Sequence, residues 1–252
     1  MHVIVCVKQA VDVDQVKIDP QTLEPITFPT KLDDLSKNAL EEAVRIKERF
    51  GGKVTVIVVG DKVSGVVKEA LAIGGDEAKV VTVRELIDTE STALTIAEIV
   101  RKIEDFDLLL FGEASIDTHT SQVGPRVAEI LKLPILTFVR KIEKIDIESR
   151  RIVVLRDLEE WFERVEASMP AVLTVTNEIN EPRLPSLSQI LKAAKKPVET
   201  FEASELGVRI GSNIEVLRNK APRIDRKKRI YKENVDRAVN EIVSELIKEG
   251  IL

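Results

Sequence analysis

The chain has 252 residues, 44% of them apolar and 32% charged, with a formal charge of -5. This globular balance gives no general electrostatic attraction for nucleic acid or anionic membrane. A single cysteine, Cys6, and two histidines, His2 and His119, exclude an intrachain disulfide framework, a four-ligand zinc site of cysteines and histidines, and a thiolate-held iron-sulfur cluster.

Any redox chemistry must therefore come from a bound organic molecule. Aromatic residues, at 4%, are too scarce for stacking platforms on single-stranded nucleic acid. The N-terminus runs directly into His2-Val3-Ile4-Val5-Cys6-Val7 with no leader pattern, and no apolar run is long enough to span a bilayer. The expectation is a cytoplasmic protein that is not membrane-spanning.

Apolar runs of strand length recur at 3–7, 54–59, 80–83, 108–111 and 135–139, as in parallel strands covered on both faces. Helical spacing fills the gaps. Leu35, Ala39, Ala43, Ile46 and Phe50 form one stripe closed by Gly51-Gly52, and Val63, Val67, Ala70 and Leu71 form a second ending at Gly74-Gly75. Leu94, Ile96, Ala97, Val100 and Ile103 give a third stripe, and Val123, Val127, Ile130 and Leu131 a fourth. The alternation predicts an α/β fold with a doubly wound, mostly parallel sheet, Rossmann-like or adenine-nucleotide-hydrolase-like.

After Val139 the rhythm changes to 141–146, 151–156 and 162–166, alternating segments that predict added antiparallel ribbons, and 171–176 reads as a further strand. Trp161 falls in the ribbon region and is assigned to core or interface packing. From Asn180 onward no strand-helix repeat is expected, and Ile214 to Leu217 give at most one short strand. Val235, Val239, Ile242, Val243 and Leu246 space out as an amphipathic helix. These elements divide the chain into an α/β domain at 1–200, holding a loop at 182–196, and an extended C-terminal arm at 201–252. The arm has little core of its own and is expected to bury its apolar face on a partner.

Ligands of open parallel sheets lie beyond the carboxyl ends of strands. Three such ends are informative: Cys6-Val7-Lys8-Gln9, Gly60-Asp61, and the long loop from Gly112 through Asp117, Thr118, His119, Thr120, Ser121, Gln122, Val123, Gly124 and Pro125. Small and hydroxyl residues there lead into a helix whose free N–H groups and dipole suit phosphate. An ordinary capped helix start fits the same residues, because serine and threonine are preferred at caps. No P-loop lysine and no glycine fingerprint after the first strand is present, which argues against an ordinary NAD-first dehydrogenase. His119 is read as a hydrogen-bonding or solvent-facing residue ahead of a general base, and Cys6 as a small buried residue beside the ligand.

Several segments together resemble the beta subunit of the electron transfer flavoproteins. They are Val154-Leu155-Arg156-Asp157-Leu158-Glu159-Glu160 with Pro170-Ala171-Val172-Leu173-Thr174, the opening Val5-Cys6-Val7-Lys8-Gln9, Ala39-Leu40-Glu41-Glu42-Ala43, Ala70-Leu71-Ala72-Ile73-Gly74-Gly75-Asp76, and Asn180-Glu181-Pro182-Arg183 with Lys192-Ala193-Ala194-Lys195-Lys196. The chain departs from the family at Glu159-Glu160-Trp161, where a glycine-rich turn is usual, and at Asp33-Asp34, where Asn-Pro is common. The resemblance implies a heterodimer with an alpha subunit that carries the outgoing flavin. It implies either a structural AMP in this chain or, in members that bifurcate electrons from NADH, a second FAD. Gln122-Val123-Gly124-Pro125 is closer to the bifurcating type.

Carried over, the nucleotide site comprises Cys6, the loop from Asp117 to Pro125, and Ala128. Leu187 takes the anchor position of the family's recognition loop for a partner dehydrogenase or quinone oxidoreductase. Asp157 takes an acidic position that helps to place the partner subunit's mobile flavin domain. A stand-alone nucleotide-binding regulator and an adenylating enzyme of the same broad fold are the competing classes; the second lacks its Ser-Gly-Gly-x-Asp-Ser loop after the first strand.

Overall fold

The computed structural model describes residues 1–84, 88–208, 211–223, 228, 230 and 234–252. Its elements in chain order are β1 (His2–Val7), β2 (Gln9–Val11), β3 (Thr30–Leu32), α1 (Asp34–Phe50), β4 (Lys53–Val59), α2 (Ser64–Ile73), β5 (Glu77–Thr82), α3 (Thr89–Arg101), β6 (Leu108–Gly112), α4 (Val123–Leu131), β7 (Ile135–Asp146), β8 (Arg151–Asp157), β9 (Phe162–Ser168), β10 (Ala171–Val175), α5 (Leu187–Ala193), β11 (Val198–Glu202) and α6 (Val235–Lys248). A nine-stranded sheet runs β11-β5-β4-β1-β6-β10-β7-β8-β9, and only β7-β8 and β8-β9 pair antiparallel. The expected α/β class and mostly parallel sheet are what the chain adopts.

Strand periodicity sorts each buried strand onto two layers. Val3, Val5 and Val7 of β1 join a core with residues of α1 and α2, while Ile4 and Cys6 face a second core with residues of α3 and α4. Leu108 and Leu110 of β6 divide from Leu109 and Phe111 in the same way. The chain winds outward from β1 through β4 to β5, then α3 returns it to β6 on the other side of β1. That reversal makes the gap between β1 and β6 the topological switch point, where the loops after neighbouring strands part and leave a crevice.

Several expectations are corrected. The strand-helix repeat continues past Asn180: α5 is followed by β11, which pairs parallel with β5 at the sheet edge, and Ala203 and Leu206 pack into the second core. Val198-Glu199-Thr200-Phe201-Glu202 hides as an edge strand because Glu199 and Glu202, on opposite faces, break the apolar run. The segments at 135–139 and 141–146 are one strand, β7, broken in register around Phe138, whose φ is 54°. Trp161 is 59% exposed at the ribbon turn, which removes the core half of its assignment. Residues 214–217, expected to give at most one short strand, pair with none among the described residues. A short ribbon of β2 with β3, carrying a hairpin in which Ile18 bridges Pro25, was not foreseen. Of the arm expected at 201–252, positions 209–210, 224–227, 229 and 231–233 lie outside the described residues. No described helix is long and apolar enough to cross a membrane.

Candidate functional site

A cleft of about 720 Å³ opens at the switch point, lined by the ends of β1, β4 and β6, the start of α3 and the loop before α4. Cys6 and Gln9, Val59 and Gly60, and Phe111 and Glu113 mark the three strand ends. The volume lies within the range of roughly 300–1,000 Å³ usual for small-molecule and cofactor sites. Its deep wall is apolar, from Ile57, Val59, Ile96 and Phe111, and its rim is polar.

The loop from Glu113 to Gln122 is held from beneath by two carboxylates. Asp33, fully buried, caps α1 by accepting from the Ser36 amide (2.9 Å) and hydroxyl (3.1 Å) through one oxygen, and takes the Ile116 amide (2.9 Å) on the other. Asp117 accepts from Lys8 Nζ (2.6 Å), the Ser115 hydroxyl (2.8 Å) and the Val11 amide (3.1 Å). Burial pushes the Asp117 carboxyl up, but Lys8, Ser115 and Val11 outweigh it and hold the group below the usual carboxylate range. The loop is thereby fastened to both the start of α1 and the end of β1.

Above these anchors the backbone turns sharply: His119 has φ 45° and Ser121 φ 54°, both left-handed, and Gln122 returns to the right-handed region. Such an alternation aims successive N–H groups into one concavity. Among the described residues, no protein acceptor takes the amides of Ser121, Gln122, Val123 or Gly124, the last two being first-turn donors of α4. The Ser121 hydroxyl donates to Glu113 Oε1 (2.6 Å) and the Thr89 hydroxyl to Gln122 Oε1 (2.7 Å), leaving the main chain to face the cleft. The two cations of the lining, Lys8 and Arg84, are committed to Asp117 and Glu202. Anion binding here would rest on amides and the helix dipole rather than on a free cation.

Of the residues singled out from the sequence, Cys6, Thr118, Thr120, Ser121, Gln122, Val123 and Gly124 line the cleft. Cys6 is buried, and burial pushes its thiol well up, so it stands there as a neutral, apolar wall. Asp117 acts from behind through Lys8. His119 is exposed, and neither it, Pro125 nor Ala128 is in the lining; Ala128 packs into the second core. Gly124 serves packing more directly than ligand approach, since a Cβ there would sit 2.7 Å from Thr174 Cγ2. Lys8 and Glu113 belong to strand ends marked from the sequence but were not assigned to the nucleotide site, Asp33 was marked only as a departure from the family, and Asp88 and the arm residues Ser212, Ile214 and Val216 were missed. Asp33-Asp34-Leu35-Ser36 and Asp88-Thr89-Glu90-Ser91 did carry the helix-start signal that would have marked two of them.

The electron transfer flavoprotein domain model matches residues 27–206. The chain belongs to the electron transfer flavoprotein family. It is 39% identical to the electron transfer flavoprotein subunit beta of Thermoanaerobacterium thermosaccharolyticum over 100% of both chains. It is 37% identical to the caffeyl-CoA reductase-Etf complex subunit CarD of Acetobacterium woodii, over 82% of this chain and 80% of that one. It is also 33% identical to protein FixA of Azotobacter vinelandii, over 82% and 77% respectively. The family expected from the sequence is thus the family found, and the chain resembles its beta subunits along its whole length.

In this flavoprotein subunit, the segment around Leu187 is held at both ends. Arg183 pairs with buried Glu41 (2.7 Å) and with Glu48 (2.6 Å) of α1, and Asn180 bridges to Asn38 (3.0 Å) and Glu42 (3.1 Å). At the far end Lys196 donates to the carbonyls of Leu71 (2.8 Å) and Gly75 (2.6 Å), capping α2. Between these clamps Leu184 is 94% and Leu187 73% exposed. A capping box of Ser186 and Gln189 starts α5 at that point. Asp157, at the end of β8 toward the opposite edge of the sheet, pairs with Arg140 (2.7 Å), whose guanidinium stacks on the Phe162 ring at 4.3 Å.

Proposed function

We propose that this beta subunit holds FAD in the switch-point cleft and takes part in NADH-dependent electron bifurcation or transfer, together with its alpha subunit and a partner dehydrogenase or quinone oxidoreductase. The observation that carries this reading is the row of amides at Ser121 to Gly124, which have no protein acceptor among the described residues and belong to residues lining the cleft beside Cys6. Those amides, with the N-terminus of α4, would bind the pyrophosphate; Asp117 and Asp33 hold the loop in the required shape. Gln9 Oε1, buried and without a donor among the described residues, is an acceptor within the lining. Ile57, Val59, Ile96 and Phe111 exclude water from the inner wall. When bound, the flavin would supply the electron capacity that no side chain of this protein has.

Leu187, projecting between two clamps with Lys192 and Lys195 nearby in sequence, is suited to a transient hydrophobic dock steered by charge. One relative is named as part of a complex with a caffeyl-CoA reductase, which supports an acyl-CoA-handling partner for this surface. Asp157, poised by Arg140, is proposed to help place the flavin domain of the alpha subunit.

The second reading keeps the same amides but gives them the single phosphate of a structural AMP, so that the subunit is a simple carrier. The purified heterodimer separates the two by its visible absorption and a count of bound nucleotide. Two flavins per dimer support FAD in this chain, one flavin with one AMP supports the carrier, and neither nucleotide at this site overturns both. A stand-alone regulator requires a stable monomer that does not co-purify with an alpha subunit.

A further inference from the structure

The cleft has a wall that comes from outside the α/β unit. Ser212, Ile214 and Val216 line it, although they follow the last strand and belong to the arm. This stretch is tied down on one side at the start of α3. The Ser91 hydroxyl donates to the Gly211 carbonyl (2.6 Å), and Asp88 Oδ2 takes the Asn213 amide (2.9 Å) and side-chain nitrogen (3.3 Å). Further along, the Ala221 amide donates to the Leu23 carbonyl (2.8 Å) on the hairpin between β2 and β3, so the stretch is tied to the α/β unit on both sides of 212–216. Asp88 has two tasks at once, because its Oδ1 caps α3 through the Ser91 amide (2.8 Å). The amides of Asn213 and Ser91 hold its carboxyl below the usual range, the mark of an acceptor built for these donors. Ile214 and Val216 are 62% and 55% exposed, an apolar edge in the cleft lining with no pairing strand among the described residues.

We propose that residues 211–216 are a strap that completes the nucleotide site, with Ile214 and Val216 covering a flat heterocycle and Asp88 acting as the positioning residue that latches the strap. The inference rests on the cofactor reading above and adds to it the residues that retain the ligand. Ordering an apolar edge over a ring both buries the edge and lowers its mobility, so ligand and latch stabilise each other.

The test uses the purified heterodimer and the variants Asp88→Ser and Asn213→Pro. Serine keeps the α3 cap but is too short to reach Asn213, and proline removes the amide that the latch accepts. FAD and AMP are each added as probe. Their binding is measured by equilibrium dialysis, their release by dilution, and hydrogen exchange is followed across 211–216 and α3. The expected result is slower exchange at 211–216 on nucleotide binding and release about tenfold faster in both variants, with α3 exchange unchanged. Nucleotide that binds without changing exchange at 211–216, and leaves at the wild-type rate from both variants, overturns the strap alone. Failure of both probes to bind overturns the cofactor reading and this inference together.

Discussion

At the scale of single residues, the site is decided by how few atoms hold its loop. Asp117 gathers Lys8, the Ser115 hydroxyl and the Val11 amide, so Asp117→Ala removes three charge-assisted bonds and leaves the Lys8 ammonium without its nearest anion. The loss should be about 2 kcal/mol of stability at pH 7 in urea denaturation, with weaker nucleotide binding. Because the folded carboxyl sits below its unfolded value near 4, its contribution is full above that value and is lost as pH falls through the folded one. The gap between the variant and the wild type should therefore close in acid, and a gap that is constant from pH 7 to pH 3 would refute the ion-pair account. Gly124 makes a separate test. Gly124→Ala drives a methyl into Thr174 Cγ2 at 2.7 Å, which should cost about 1–3 kcal/mol and displace the start of α4. Thr174→Ser removes that methyl and keeps the oxygen that accepts the Phe138 amide, so the double variant should recover most of the loss. A double variant as unstable as Gly124→Ala would place the glycine's role elsewhere.

At the scale of elements, the difference between what the sequence disclosed and what it hid follows from burial. Strands β1, β4, β6 and β10 are covered on both faces and read as unbroken apolar runs, and α1 to α4 show continuous stripes, so the sheet and its switch point were legible. Elements with little buried surface left weaker marks: β11 is interrupted by Glu199 and Glu202, and α5, only seven residues long, buries Ala193 alone. The loop 117–125 was legible in composition, but its left-handed turns at His119 and Ser121 use residues without a glycine signature, and its supports at Lys8 and Asp33 lie far off in sequence. The segment around Leu187 shows why clamps matter. Glu41 is buried and lifted by desolvation, yet Arg183 and Arg45 bring its carboxyl below the ordinary value. Arg183→Ala should loosen 181–196 in hydrogen exchange and cost about 1–3 kcal/mol, since Glu41 keeps only Arg45. Leu187→Ala, at an exposed site, should change stability by less than about 0.5 kcal/mol. It should still slow electron transfer to the partner dehydrogenase about tenfold or more. Equal stability with an unchanged partner rate would remove Leu187 from the dock.

At the scale of the whole molecule, the α/β unit is complete in its core while α6 is not. No residue of α6 is buried, although Val235, Val239, Ile242 and Val243 fall on one stripe, at 78%, 52%, 45% and 40% exposure. A 14-residue helix that buries none of its residues is marginal in water, so covering that stripe would add to its stability. The proposed cover is the alpha subunit, reached by the same arm whose earlier part lines the cleft. Replacing Val239 and Val243, one turn apart, with glutamate leaves the core untouched, and the isolated beta chain should unfold within about 0.5 kcal/mol of wild type. In the heterodimer the same change would set two carboxylates against an apolar surface, and the dissociation constant measured by analytical ultracentrifugation should rise at least tenfold, on the order of a single interface hot spot. Hydrogen exchange separates this from a loss of helix propensity. The wild-type helix should exchange fast in the isolated chain and slowly in the heterodimer, whereas the variant should exchange fast in both. A variant that pairs with wild-type affinity, its helix protected as before, would show that the stripe faces solvent in the assembly and that the arm is held by other residues.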